Sequence, residues 1–349
     1  MNFASDNTAG VAPQIMAALA AANAGHVASY GADPLSAVVT AQIREILEAP
    51  EAAVYLVATG TAANALSCAV LTDPWGAIFC HRNAHIDEDE CGAPEFFTGG
   101  SKLVLVDGAH ARMTPEALHH TIAHTGRGGV HNVQRGMVSI TNATEAGTVY
   151  SAAEVAALTQ VARDFGLPVH MDGARFANAL VAAGCTPAEM TWRAGVDVLS
   201  FGGTKNGCMG VEAVVIFDPK RAWEFELRRK RAGHLFSKHR FLAAQMQAYL
   251  EGDLWLDLAR HANAMAALLS ARITALPGAR LVHPTHANEV FAAFPRAAHR
   301  RAQGAGAAYY LWPFDQSLEG DMAEPLAARM VTSWATTEAE IDAFLALLG

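Results

Sequence analysis

The sequence predicts an α/β protein, a mostly parallel seven-stranded sheet followed by a smaller C-terminal α+β domain, and three observations predict it. Between Ala53 and Asp218, seven short β-rich runs alternate with longer Ala- and Leu-rich stretches at helical period. After Pro219 the pattern turns helical and basic, then mixed. The 349 residues are 52% apolar and 17% charged, which suits a large buried core and excludes disordered, collagen-like and disulfide-scaffold chains.

The runs are Val54–Ala58, Ala77–Cys80, Lys102–Val106, Met137–Thr141, Pro168–Asp172, Asp197–Phe201 and Ala213–Phe217. Several connections are long enough for a helix. Between Ser151 and Phe165, for example, Ser151 with Glu154 forms a capping box and Gly166 a stop. Helical crossovers make neighbouring strands parallel and cover both faces of the sheet. Only Gly202 to Glu212 separates the last two runs, too short for a crossover, so that pair is expected to be antiparallel. Arg221, Arg228, Arg229, Lys230, Arg231, Lys238 and Arg240 read as a solvated helix face. Beyond Glu251 come a helix, strands around Glu289–Phe294 and Tyr309–Trp312, and a terminal helix from Thr337. The expected organisation is an N-terminal arm 1–14, a large domain 15–250 and a small domain 251–349.

Composition also limits the partners. Lys and Arg total 25 against 34 Asp and Glu, a formal charge of −9 that repels a polyanion, so no nucleic acid is expected. The start, Met1 to Asn7, lacks the basic and apolar segments of a signal peptide, and no window is apolar enough for a membrane span. A cytoplasmic chain is the expectation. Cys68, Cys80, Cys91, Cys185 and Cys208 form no Cys-x-x-Cys pair and read as isolated reduced thiols.

In an open α/β sheet, ligands bind beyond the carboxyl ends of the strands, so polar residues just after the runs are the candidates. Thr59-Gly60-Thr61 follows the first run and opens a helix whose free amides suit a phosphate. Asp172 ends the fifth run, where a carboxylate can hold a proton on a heteroaromatic nitrogen. Arg175 follows three residues later, and an Asp172–Arg175 ion pair is the competing reading. Gly202-Gly203-Thr204-Lys205-Asn206-Gly207 lacks the spacing of a nucleotide P-loop, but a lysine desolvated there can form a Schiff base with an aldehyde. His81 and His85 have the i, i+4 spacing of a helical zinc site with Asp87 nearby. No glutamate lies between them and Asn83 disfavours the helix, so no metal is expected.

Taken in order, these motifs resemble the fold-type-I pyridoxal-phosphate enzymes, transferase-like in fold, and in detail the low-specificity threonine aldolases of the β-eliminating lyase group. The resemblance runs over nearly the whole chain: Ser5-Asp6-Asn7, Tyr30-Gly31-Ala32-Asp33-Pro34, Thr59-Gly60-Thr61, His85, Val130-His131, Gly147-Thr148-Val149-Tyr150, His170 to Arg175, Ser200 to Gly207, and Arg329 to Trp334. The chain departs from it at the lysine, where many of these aldolases carry Ser-Lys-Gly-Leu-Gly and this chain reads Thr204-Lys205-Asn206-Gly207-Cys208, and in one later region. Many of these aldolases carry Gly-Gly-Gly-Met-Arg-Gln where this chain reads Gly233-His234-Leu235-Phe236-Ser237-Lys238, which leaves Lys230, Lys238 and Arg240 as alternatives for the family's arginine.

The resemblance implies that Lys205 holds pyridoxal 5'-phosphate, with Gly60 and Thr61 on its phosphate, Asp172 on its ring nitrogen and His85 on its ring face. Arg175 would reach the cofactor or the substrate carboxylate, and Arg329 with Ser5 would take that carboxylate. His85 and His131 are the candidate bases for the β-hydroxyl proton, with a bound water as competitor. The implied reaction is cleavage of L-threonine, L-allo-threonine or a phenylserine-like substrate to glycine and an aldehyde. The alternatives are β-elimination or transamination of a small amino acid, or a fold of this type serving as a regulator without turnover, for which no DNA-binding module is evident. The resemblance also implies a homodimer or a dimer of dimers, with Tyr30 and the stretch Arg228 to Arg240 serving the partner's site.

Overall fold

The seven runs become one sheet in the computed structural model, which describes residues 1–349. Its strands are β1 (Ala53–Val57), β2 (Gly76–His81), β3 (Lys102–Val106), β4 (Gln134–Thr141), β5 (Val169–Gly173), β6 (Val198–Gly202) and β7 (Glu212–Ile216), in the order β1-β7-β6-β5-β4-β2-β3. Neighbours from β3 through β6 pair in parallel, while β7 is antiparallel to both β6 and β1. The link from β6 to β7 contains only the short turn Thr204–Asn206, which permits no crossover. Six strands therefore end at one edge of the sheet, and the β6–β7 turn lies at that same edge.

Both faces are covered, as the apolar runs require. Alternate residues of a strand point to opposite faces. Val198 and Val214 accordingly pack in one core with Ile78 and Met137, while Leu199 and Val215 pack in another with Phe79 and Val138. The expected helix after Ser151 forms as Ala152–Asp164, with the capping box between Ser151 and Glu154 in place.

The second sheet has four antiparallel strands, β8 (Arg280–Leu281), β9 (Glu289–Pro295), β10 (Tyr310–Leu311) and β11 (Pro325–Val331), in the order β10-β11-β9-β8. The sequence does not announce β11, because Ala327 and Ala328 are weak strand formers. Pairing along the length of β9 places it, and Pro325 sits at its first residue, where a missing donor is tolerated. Helix Leu254–Thr274 serves both cores: Trp255 and Ala259 pack in the large one, Leu269 and Ile273 in the small one. That helix thus joins the two cores.

The arm is stitched to the small domain before it reaches the large one. Phe3 donates its amide to Ala308 O (2.7 Å), accepts from the Val331 amide (2.8 Å), and buries its ring against Phe344. That anchoring delivers Ser5 and Asp6 to the carboxyl edge of the large sheet. No helix is long and apolar enough to cross a membrane.

Candidate active site

Lys205 stands on a turn whose other residues are held in place. Gly203 donates its amide to Glu212 Oε2 (2.8 Å), Val211 donates to Thr204 Oγ1 (3.2 Å), and Asn206 donates to Tyr249 Oη and Trp255 O (2.8 Å each). Gly202 is required because a Cβ there would lie 2.2 Å from Ala174 O. The Lys205 amine itself, half-buried, pairs with no protein group, yet its charge is felt by Asp6, Glu90, Glu145 and Glu212. Burial pushes Glu212 up to about 7 against the pull of its hydrogen bonds.

Asp172, at the end of β5, is buried and faces amides. Oδ1 accepts from the Ala174 amide and Oδ2 from Asn64 Nδ2, both at 3.0 Å. His170, two residues earlier on the same face, sits between Ser139 Oγ (3.0 Å) and Ser200 Oγ (2.9 Å), and burial depresses it to about 4. The imidazole is therefore neutral. The Asp172–Arg175 ion pair does not form, because Arg175 turns to the arm instead: Nε lies 2.7 Å from Asp6 Oδ2 and Nη2 3.1 Å from Oδ1.

Thr59 caps helix Gly60–Leu71 by accepting from the Ala62 amide (3.1 Å). The Gly60 and Thr61 amides have no protein acceptor, and nothing lies within 4 Å of where a Gly60 Cβ would stand. An open cradle at the positive end of a helix is suited to an anion.

His85 opens the short helix His85–Glu88 just after β2. Its Nδ1 is buried without a hydrogen-bond partner, 3.7 Å from Glu145 Oε1 and 3.8 Å from Asp89 Oδ2. His81 is not its helical neighbour: it ends β2, lies against Gly108 O (3.1 Å) and accepts from the Asn83 amide (3.0 Å).

His131 is not brought to this site within the chain. It is exposed in the turn Gly129–His131 ahead of β4, at the amino edge of the sheet, whereas Lys205 and Asp172 stand at the carboxyl edge. His110 stands at the carboxyl edge instead, beyond β3. Its Nδ1 lies 3.0 Å from His283 Nδ1 in a cavity of about 590 Å³ that Glu145, Asp89, Trp312 and Phe314 also line.

The two other predicted arginines share one buried network. Asp6, only 3% exposed, holds Arg175 and accepts from Asn288 Nδ2 (3.1 Å). Glu289, fully buried, lies 3.5 Å from Arg175 Nη1 and accepts from Arg329 Nη2 (2.6 Å) and Nε (3.2 Å). Two guanidiniums and two carboxylates leave the network neutral. Burial alone would raise the Asp6 carboxyl, but Arg175 and Lys205 outweigh it and hold the group below the usual carboxylate range. Ser5 Oγ caps the following turn by accepting from the Asn7 amide (3.1 Å).

Tyr30 is 47% exposed in a left-handed conformation (φ 57°), with the Lys230 ammonium 4.7 Å above its ring. Of the basic alternatives, Arg240 donates to Ala24 O and Gly25 O, while Lys238 is exposed. Arg229, which is not among those alternatives, is buried, with Nη1 3.3 Å from Leu56 O and Nε lacking a partner.

Sequence reasoning missed Asp6, Asn64, Glu90, Glu145 and Glu289 as members of the site. Glu145 was within its reach, since it follows the β4 run at the same strand edge that singled out Asp172. Asn64 closes the stretch Thr59 to Asn64 that opens a helix, where nothing local gives it a role of its own, and no local pattern marks Glu90. The unpartnered amine, the buried acid facing amides, the open helix amides and the orphaned His85 nitrogen fit the cofactor that the resemblance implies.

Comparisons with known proteins agree. Residues 2–296 match the family model described as beta-eliminating lyase. The chain is 40% identical over 339 residues to a low specificity L-threonine aldolase from a Pseudomonas species, covering 97% of this chain and 94% of that one. It is 44% identical over 289 residues to the protein of the same name from Pseudomonas aeruginosa, covering 83% of each. A solved structure of Leishmania major threonine aldolase superposes with a TM-score of 0.91 at 29% identity, covering 99% of this chain and 98% of that one.

Proposed function

The chain belongs to the beta-eliminating lyase family, and from that premise we propose that it is a pyridoxal-phosphate-dependent aldolase cleaving L-threonine and related β-hydroxy-α-amino acids to glycine and an aldehyde. The observation that carries this reading is the free Lys205 amine at the sheet edge shared by Asp172 and the Gly60–Thr61 amides.

Lys205 would hold the cofactor, the Gly60 and Thr61 amides its phosphate, Asp172 its ring nitrogen and His85 its face. Bound there, the group supplies an electron sink for breaking the Cα–Cβ bond. Asp172 suits its role because no cation competes for it: its two oxygens take neutral amides and stay acceptors for a ring N–H. Arg329 is the group for the substrate carboxylate, with Ser5 beside it in the role the resemblance assigns. Glu289 occupies Nε and Nη2 of Arg329, which leaves Nη1 as the nitrogen with no protein acceptor.

His85 is the imidazole to accept the β-hydroxyl proton, since its Nδ1 carries no hydrogen bond and Glu145 stands where it can stabilise the charge gained. L-Allo-threonine and phenylserine-like substrates fall within the reading, and the cavity beyond Glu145, lined by Trp312 and Phe314, supports room for a large β substituent. Tyr30, exposed and contacted by Lys230 over its ring, supports a homodimer, or a dimer of such dimers, in which it serves the neighbouring subunit.

The test is aldehyde release from a stereodefined panel of L-threonine, L-allo-threonine, their D-enantiomers and phenylserine. Lys205→Ala is expected to abolish both turnover and the visible absorbance of the reconstituted protein. Full activity in that variant would overturn the assignment.

A further inference from the structure

Behind Asp172 stands a second buried acid, and one side chain joins the two. Asn64 Nδ2 donates both its hydrogens to carboxylates, one to Asp172 Oδ2 (3.0 Å) and one to Glu90 Oε1 (2.9 Å). All three residues are at most 3% exposed. Their hydrogen bonding is uneven, however. Asp172 accepts two amide bonds, from Asn64 and Ala174, whereas Glu90 accepts one and its Oε2 is buried without a partner. Two ionised carboxylates bridged by one neutral amide would be costly at this depth, and the less solvated acid is the one that keeps its proton. The groups facing Glu90 agree with that. Asp172 on β5, Glu145 after β4 and the neutral Cys68 thiol on helix Gly60–Leu71 offer it no positive charge, and only the Asn64 hydrogen bond and the charge of Lys205 oppose them. Burial first, then the charge of Asp172, pushes Glu90 up to about 8.

We propose that Asn64 and Glu90 are positioning residues for Asp172: Asn64 clamps the Asp172 carboxylate, and a protonated Glu90 clamps Asn64, so that a single negative charge faces the cofactor's ring nitrogen. The inference rests on the cofactor reading above and adds to it a residue pair that never touches the cofactor. When Glu90 ionises in mildly alkaline solution, a second charge arises one amide behind Asp172. The bound cofactor's visible absorbance therefore changes with pH in step with Glu90.

Glu90→Gln keeps the shape and removes the proton. It is expected to bind pyridoxal phosphate within about threefold of wild type while losing the alkaline step in absorbance, and Asn64→Ala is expected to weaken binding by about tenfold. A second measurement needs no cofactor. Wild-type apoprotein loses stability as Glu90 is forced to ionise, so the melting-temperature advantage of Glu90→Gln should widen from about pH 5.5 to about pH 9. An absorbance step that persists in Glu90→Gln, a gap that stays constant, or unchanged cofactor affinity in Asn64→Ala would overturn the proposal. Wild-type protein that develops no visible band at all would instead sink the cofactor reading, and the melting comparison would still decide whether Glu90 carries a proton.

Discussion

Asp6 can remain charged out of contact with water only because Arg175 meets it with two nitrogens and Asn288 with a third donor. Removing the acid leaves Arg175 with the more distant Glu289 alone, so Asp6→Ala is expected to destabilise the protein by about 3–5 kcal/mol, read by urea unfolding. The arm then loses its hold on the site, and turnover should fall with stability. His85 is predicted to behave differently, since it caps no helix and its Nδ1 bonds to nothing. His85→Asn should leave the urea midpoint nearly unchanged while lowering kcat/KM by about 10²–10⁴. Local sequence exposed Lys205, Asp172 and Gly60 because strand ends mark them. It offered no sign that Arg175 would choose Asp6 over Asp172, since that choice depends on where an arm 169 residues away comes to lie.

At the scale of elements, the β6–β7 turn tolerates little change. Gly207 adopts φ +103°, and a Cβ on it would approach Leu258 Cδ1 to 3.0 Å and Ala12 Cβ to 3.3 Å. Its carbonyl also accepts from the Ala12 amide (2.9 Å), which ties the turn to the arm. Gly207→Ala is expected to cost about 1–2 kcal/mol in backbone strain alone, and to slow reconstitution with cofactor because Lys205 is displaced. Thermal melting and the growth of visible absorbance measure the two effects separately. The terminal helix offers a simpler case. Thr337 forms a capping box with Glu340, so Thr337→Ala should lower stability by about 1 kcal/mol and leave activity intact. Both features were legible beforehand, the first as a Gly-rich link too short for a crossover and the second as a helix starting at Thr337. Strand β11 was not, because its pairing with β9 does what its own alanines cannot.

For the whole molecule, buried acids of opposite tendency set the pH range of stability. Glu90 and Glu212 are held above the ordinary carboxyl range, at about 8 and about 7, so the stability they permit is complete in acid and is lost as pH rises through those values. Asp6 is held below its ordinary value, so its contribution is present near neutrality and is lost as pH falls. On account of these acids, the urea resistance of the cofactor-free protein is expected to fall between about pH 5 and about pH 9, and the Asp6 contribution to be lost towards about pH 3. Association is the other molecular property to measure. Sedimentation is expected to show at least a dimer, and mixing Tyr30→Ala with Lys205→Ala should restore part of the activity each lacks, because every mixed interface then contains one site with both residues intact.

The order of amino acids by itself determined the seven strands, the antiparallel last pair, the lysine turn and the acid at the end of β5, because each depends on side-chain period or link length within a few residues. Tertiary structure alone decided that His131 stands at the far edge of the sheet, that Arg175 and Arg329 neutralise Asp6 and Glu289, and that Asn64 joins Glu90 to Asp172. Those contacts join residues 26 to 169 positions apart, and burial, which no local pattern encodes, gives them their chemistry.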